Sequence, residues 1–95
     1  MKAMSKSILQ NEKRCWFCDS LVGLECHHIM SGTANRKLSE KYGLKVWLCH
    51  RHHTGDEGAQ YDPAMNRQLK QDAQYAFERK YSHQMWMEIF RKNYL

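Results

Sequence analysis

At 95 residues the chain has the length of one compact domain, and with 42% apolar and 26% charged residues its core is modest enough that a metal staple would help it fold. Fifteen Lys and Arg against ten Asp and Glu give a net charge of +5, which suits a polyanionic partner, nucleic acid first, without requiring one. The aliphatic bulk ahead of Cys15 is the pair Ile8 and Leu9, far short of a signal-peptide core or a membrane span, so a cytoplasmic, reducing setting is expected, in which clustered Cys and His read as metal ligands rather than disulfides.

A polar lead runs through Arg14 and ends at Cys15-Trp16-Phe17-Cys18, which reads as a tight turn. Gly23 to Ile29 (GLECHHI) reads as a short strand. Thr33 to Tyr42 is polar and charged, and one or two helical turns are expected there, closed by Gly43. Leu44-Lys45-Val46-Trp47-Leu48 alternates as a second strand would and runs into Cys49, where a helix begins. Beyond the loop Thr54-Gly55-Asp56-Glu57-Gly58, Asp62 and Pro63 supply an N-cap and a first helical residue. Met65, Leu69, Ala73, Ala76 and Phe77 then recur at helical spacing, predicting a helix from Pro63 to about Lys80 with one face on the core. Ser82 caps a second helix, whose Met85, Trp86, Ile89 and Phe90 pack against the first. These Met and aromatic stripes read as core rather than as a cofactor box.

Cys15 and Cys18 let two thiolates meet one ion, and a structural zinc needs two more ligands to complete a tetrahedron. About thirty residues on, Cys49-His50-Arg51-His52-His53 offers them. A Cys-x-x-His step at a helix start puts Cys49 and His52 on one side and turns His53 elsewhere, open to a second centre. A redox dithiol or plain buried cysteines is the competing reading of Cys15 and Cys18, and the second Cys and His cluster outweighs it. Cys26, alone in its strand, reads as a small core residue. His27 and His28 are costly to bury side by side, because each ring brings nitrogens that need partners. From the residues alone, a functional pair and an ordinary pair, one exposed and one hydrogen-bonded, are equally good readings.

The order His27-His28-Ile29, a loop, a strand ending Leu48-Cys49, then His52-His53 resembles the HNH, or ββα-metal, nuclease family. The stretch HHIMSGTANRKLSEKYGLKVWLCHRHH is similar in particular to small phage-borne members related to a recombination-promoting nuclease. The resemblance covers roughly 15–55 and implies an α+β fold in one domain over 1–95: a small zinc-stabilised, treble-clef-like ββα-metal core at 15–55 and a C-terminal pair of helices at 62–92. It implies a metal-dependent DNA endonuclease or nickase, phage or prophage encoded, that hydrolyses phosphodiester bonds.

By that resemblance His28 matches the general base, and a neutral imidazole suits that work at cellular pH. His27 stands where many members carry a metal-binding aspartate, and His53 matches the final histidine. Both would hold a catalytic divalent ion (Mg2+, Mn2+, Ni2+ or Zn2+), leaving Cys15, Cys18, Cys49 and His52 for a structural Zn2+. The chain departs from the family pattern twice. Gly43-Leu44-Lys45 stands where the middle asparagine usually falls, so Asn35 is the residue expected to orient His28 from the loop, an ordinary loop or cap asparagine being the alternative. Gly58-Ala59-Gln60 stands where similar phage proteins often have Gly-Val-His. DNA contact is expected from Arg36, Lys37, Lys41, Lys45 and Arg51. Trp16, Phe17 and Trp47 are expected to pack around the zinc, with base stacking as the alternative. The rival class is a non-catalytic zinc-binding module for nucleic acid or protein, built on a degenerate HNH core.

Overall fold

A computed structural model describes residues 6–30, 32–55, 58–59 and 61–95. Its elements run β1 (Leu24–His28), α1 (Thr33–Tyr42), β2 (Lys45–Cys49), α2 (His50–His53), α3 (Pro63–Lys80) and α4 (His83–Phe90), a small α+β fold with one two-stranded sheet. No helix among the described residues is long and apolar enough to cross a membrane.

β1 and β2 pair antiparallel, with Leu24 opposite Cys49 and His28 opposite Lys45. Side chains alternate in direction along a strand, so Cys26, His28, Lys45 and Trp47 share one face, and Glu25, His27, Val46 and Leu48 share the other. Val46 and Leu48 are fully buried, so their face is the one on the core. His27 and Glu25 extend that face toward α2.

α1 is longer than the one or two turns its composition suggested. Its N-cap, Gly32, supplies no side-chain bond, so tertiary anchoring compensates. The buried Ser39 hydroxyl donates to the Met30 carbonyl and accepts from the Met30 N–H, both at 3.1 Å. The helix stops at Gly43, whose φ of 70 places it in the left-handed region that favours glycine.

Gly43 also lets the polar lead approach β2. The Ile8 N–H donates to the Gly43 carbonyl at 3.0 Å, and the Ser7 hydroxyl donates to the Lys45 carbonyl. The Trp47 N–H reaches Gln10 Oε1 at 2.8 Å, and the Trp47 carbonyl accepts from the Trp16 N–H at 2.8 Å. Side chains thus satisfy much of the outer edge of β2, where a third strand would otherwise pair.

α3 and α4 begin as their sequence predicts. The Asp62 side chain accepts from the Ala64 and Met65 N–H groups, with Pro63 at the first turn, and the Ser82 hydroxyl accepts from the Met85 N–H. Leu69, Ala73, Phe77 and Trp86 are wholly buried, whereas Ala76 is only half-buried. The Phe77 ring meets Trp86 at 5.5 Å and Tyr42 at 5.4 Å, edge-on in each case, which joins the helix pair to the end of α1. Gln74, a polar residue the apolar pattern passes over, is also fully buried. Its amide donates to Asn93 and accepts from the Tyr94 N–H, pinning the tail across α3.

Candidate metal centre and histidine site

The turn at Cys15 is closed by backbone bonds. The Cys15 N–H donates to the Ser20 carbonyl and the Asp19 N–H to the Cys15 carbonyl, both at 2.9 Å, with Asp19 at φ 60. This loop carries Cys15 and Cys18 to the point where β2 becomes α2. There the ligand atoms of Cys15, Cys18, Cys49 and His52 all lie within 4.8 Å of one another. Cys18 Sγ is 3.7 Å from Cys49 Sγ, and His52 Nδ1 is 3.6 Å from Cys15 Sγ and 3.3 Å from Cys49 Sγ. With Zn–S about 2.3 Å and Zn–N about 2.0–2.1 Å, a zinc tetrahedron has S···S edges of about 3.8 Å and S···N edges of about 3.6 Å. The spacings therefore fit the edges of a zinc tetrahedron and exclude a disulfide, whose sulfurs stand about 2.0 Å apart.

The two thiols of the turn shift in opposite directions: the hydrogen bond from the Ser20 backbone lowers that of Cys18, but burial and the neighbouring Cys15 and Cys49 sulfurs outweigh it and push it up. Burial opposes ionisation of Cys15, but hydrogen bonds from the backbone of Cys49, Cys18 and Phe17 outweigh it and bring its thiol down to about 6. A thiolate is the form a metal needs. Phe17 covers the His52 ring at 5.8 Å between centroids, as expected for packing around the centre. Trp16 reaches away to Asp72. Trp47 has the Lys13 ammonium 4.6 Å above its ring. Only Phe17 of the three aromatics is thus in ring contact with a ligand.

His53, one residue past His52, turns to the opposite side of the short helix. Its Nδ1 lies 2.7 Å from Glu25 Oε1, and its ring meets that of His27 edge-on at 5.1 Å. His27 Nε2 is buried with no hydrogen-bond partner. Burial, with smaller contributions from His53, His28 and Lys70, pushes the His27 imidazole down to about 4, so it is neutral at neutral pH with its lone pair available. An unpartnered buried nitrogen is costly, and a cation is one way to satisfy it.

His28 points to the other face of β1. Its Nε2 lies 2.9 Å from Glu40 Oε2, and the same carboxylate takes the Lys45 ammonium at 3.0 and 2.9 Å. His28 and His53 nevertheless border a common cavity of about 420 Å³ with Cys26 and Arg36. The Cys26 thiol is pushed up, chiefly by burial, so it stays protonated there.

Several expected contacts are placed differently. Lys45 is nearly buried and engaged by Glu40 of α1, so it is no exposed phosphate contact. Asn35 lies within α1 rather than a loop, and the carboxylate that holds His28 is Glu40, more than a turn farther along that helix. Arg36 borders the histidine cavity. Lys37, Lys41 and Arg51 are exposed, Lys41 with its ammonium over the Tyr42 ring at 5.3 Å. Gln60 lies outside the described residues.

The sequence reading missed Glu25 and Glu40. Glu25 stands two residues before His27, hence on the same strand face, which is a usable signal. Glu40 carries none beyond being the one acid in the α1 segment. Comparison of the chain with family models, with curated proteins and with solved structures finds no match.

Proposed function

We propose that this chain is a metal-dependent phosphodiester hydrolase acting on DNA, with a ββα-metal core and a treble-clef-like zinc knuckle. The observation that carries this reading is the arrangement of three histidines in which His53 and His28 are each held by a carboxylate, while His27 Nε2 is buried and unpartnered. A carboxylate on one ring nitrogen fixes the tautomer and aims the other nitrogen outward, the usual companion of a metal-binding or proton-transferring histidine.

Zinc on Cys15, Cys18, Cys49 and His52 would have all four positions filled by protein, so its role is structural. A second divalent ion would be held by His27 and the Nε2 of His53, with phosphate and water oxygens at its remaining positions. When bound, it would stabilise charge developing on the scissile phosphate and the leaving oxygen. In the tautomer that donates Nε2–H to Glu40, His28 offers the Nδ1 lone pair to a water in the cavity and takes its proton. Glu40 then holds the resulting imidazolium in place. The Arg36 guanidinium, on the same cavity, would bind a nonbridging phosphate oxygen.

Nicking of supercoiled plasmid with added Mn2+ or Mg2+ tests the reading. His28→Ala is expected to slow cleavage by roughly 10²- to 10⁴-fold without changing zinc content. Cleavage at the wild-type rate in that variant would remove His28 from the reaction. No cleavage with any divalent ion would favour the non-catalytic binding module.

A further inference from the structure

A second basic cavity, of about 410 Å³, lies where the start of α3 meets the C-terminal tail. Arg67 and Lys70 come from α3, Lys92 and Tyr94 from the tail, and Tyr61 from the turn before Asp62. The Lys70 and Lys92 ammoniums lie 5.6 and 5.2 Å from the centre of the Tyr94 ring. Among the described residues no carboxylate pairs with Arg67, Lys70 or Lys92, whereas most other acids of the fold are engaged: Glu25, Glu40 and Glu78 by histidines and Asp72 by Trp16 and Gln68. Three like charges converging without a counter-charge repel one another, and an anion in the cavity would relieve that repulsion.

One contact ties this cavity to the histidine site. Ala59, which lines it, donates its N–H to the His52 carbonyl at 2.8 Å, next to His53 in the chain. Tyr61 is 63% exposed, and an exposed tyrosine beside cations is a surface on which a nucleobase stacks.

We propose that this cavity is a nucleotide subsite: Arg67, Lys70 and Lys92 bind a phosphate of a single-stranded segment flanking the scissile bond, and Tyr61 stacks on its base. The assignment rests on the nuclease reading for the identity of the strand. It adds a strand preference and a set of contacts on the C-terminal helices that the ββα-metal core does not supply.

The test is fluorescence anisotropy of the zinc-loaded protein with a labelled single-stranded oligonucleotide across a salt series, with no added divalent ion. The triple variant Arg67→Gln, Lys70→Gln, Lys92→Gln is expected to lower the slope of log affinity against log salt by about 0.7, the contribution of one single-strand phosphate contact. Lys80→Gln, on another face of α3, removes one charge outside the cavity and is expected to leave the slope at its wild-type value. Tyr61→Ala is expected to weaken single-strand binding about fivefold or more and to weaken duplex binding less. A wild-type slope in the triple variant, or no binding of single strands by the wild type, overturns the subsite. Plasmid nicking is scored separately. Binding through these residues with no nicking would sink the nuclease reading and keep the subsite, and nicking with an unchanged slope would do the reverse.

Discussion

His53 Nδ1 and Glu25 Oε1 stand 2.7 Å apart, and this contact decides which histidine nitrogen is left to face a ligand. The Glu25 carboxyl is held below its ordinary range, first by that bond and further by the charges of His53 and His50, so it is ionised at neutral pH and keeps the Nδ1 proton. Glu25→Gln is therefore expected to lower divalent-ion affinity and nicking at limiting Mn2+ by about 10- to 100-fold, with zinc content unchanged and partial recovery at saturating Mn2+. A variant as active as wild type at limiting Mn2+ would remove Glu25 from the site.

Zinc removal should unfold the chain rather than trim it. Cys49 ends β2, and His52 sits in the four-residue α2 that also carries His53, so the ligand cluster fixes the element on which the second site is built. Structural zinc contributes an apparent ~10–16 kcal/mol near neutral pH, at least as much as the whole stability of a typical small domain, about 5–15 kcal/mol. Cys49→Ser and exhaustive chelation are both expected to abolish the cooperative thermal transition seen by circular dichroism, and nicking with it. A cooperative melt that persists in protein shown by elemental analysis to be zinc-free would contradict a structural role for the ion.

The Cys3His cluster and the helix ends were legible in the sequence because each depends on local spacing. Cys-x-x-Cys and Cys-x-x-His fix donors within one turn of chain, and Asp62-Pro63 and Ser82 announce their helices through cap chemistry that needs no distant partner. That His52 joins the cysteines while His53 turns away from them follows from the same local fact, since neighbouring helical residues point about 100° apart. What was not legible depends on pairing across the fold. The fate of Lys45 is set by Glu40 on α1, which its own strand does not reveal. The edge-covering role of Ser7 and Gln10 depends on a lead that looks featureless until β2 lies beside it.

Lys45 and Glu40 give a prediction that separates structure from DNA contact. Glu40→Gln leaves a nearly buried ammonium without its counter-charge and is expected to cost about 2 kcal/mol, below the ~3–5 of a fully buried pair because the carboxylate is partly exposed. It should also slow nicking, since a neutral amide stabilises the His28 imidazolium less than the carboxylate does. Lys45→Met removes the ammonium and leaves Glu40 to His28, so the salt dependence of DNA binding should match wild type. A slope lower by about one unit would instead mark Lys45 as a phosphate contact.

Glu78, near the end of α3, supplies a pH dependence. Burial tends to raise its carboxyl, but hydrogen bonds from Gln74 and His83 and the His83 charge outweigh this and lower it. A carboxyl lowered in the fold stabilises above its unfolded value and loses that contribution as pH falls through the folded one. Wild type is thus expected to be more stable than Glu78→Gln by roughly 0.5 kcal/mol at pH 6, with the difference shrinking below pH 4.5 and gone at lower pH. Thermal melts of the two proteins across pH 3–6 check it, and a difference constant over that range would rule out the carboxylate as its source.

Gly43 joins two requirements that a pair of substitutions can separate. Its φ of 70 disfavours residues with a Cβ, and a Cβ built there would also run into the Lys6 carbonyl and come within 3.2 Å of the Ile8 nitrogen. Gly43→Ala is expected to cost about 2 kcal/mol or more, of which the backbone conformation alone accounts for roughly 1–2. Asparagine enters the left-handed region more readily, so Gly43→Asn would recover most of the loss if conformation were the whole cause. The close approach of the lead predicts that it does not. In both variants the Trp47 N–H, bonded to Gln10 Oε1, should exchange faster with deuterium than in wild type, because the displaced lead uncovers the outer edge of β2. Near-wild-type stability of Gly43→Asn with Trp47 still protected would show that the lead yields without leaving the strand.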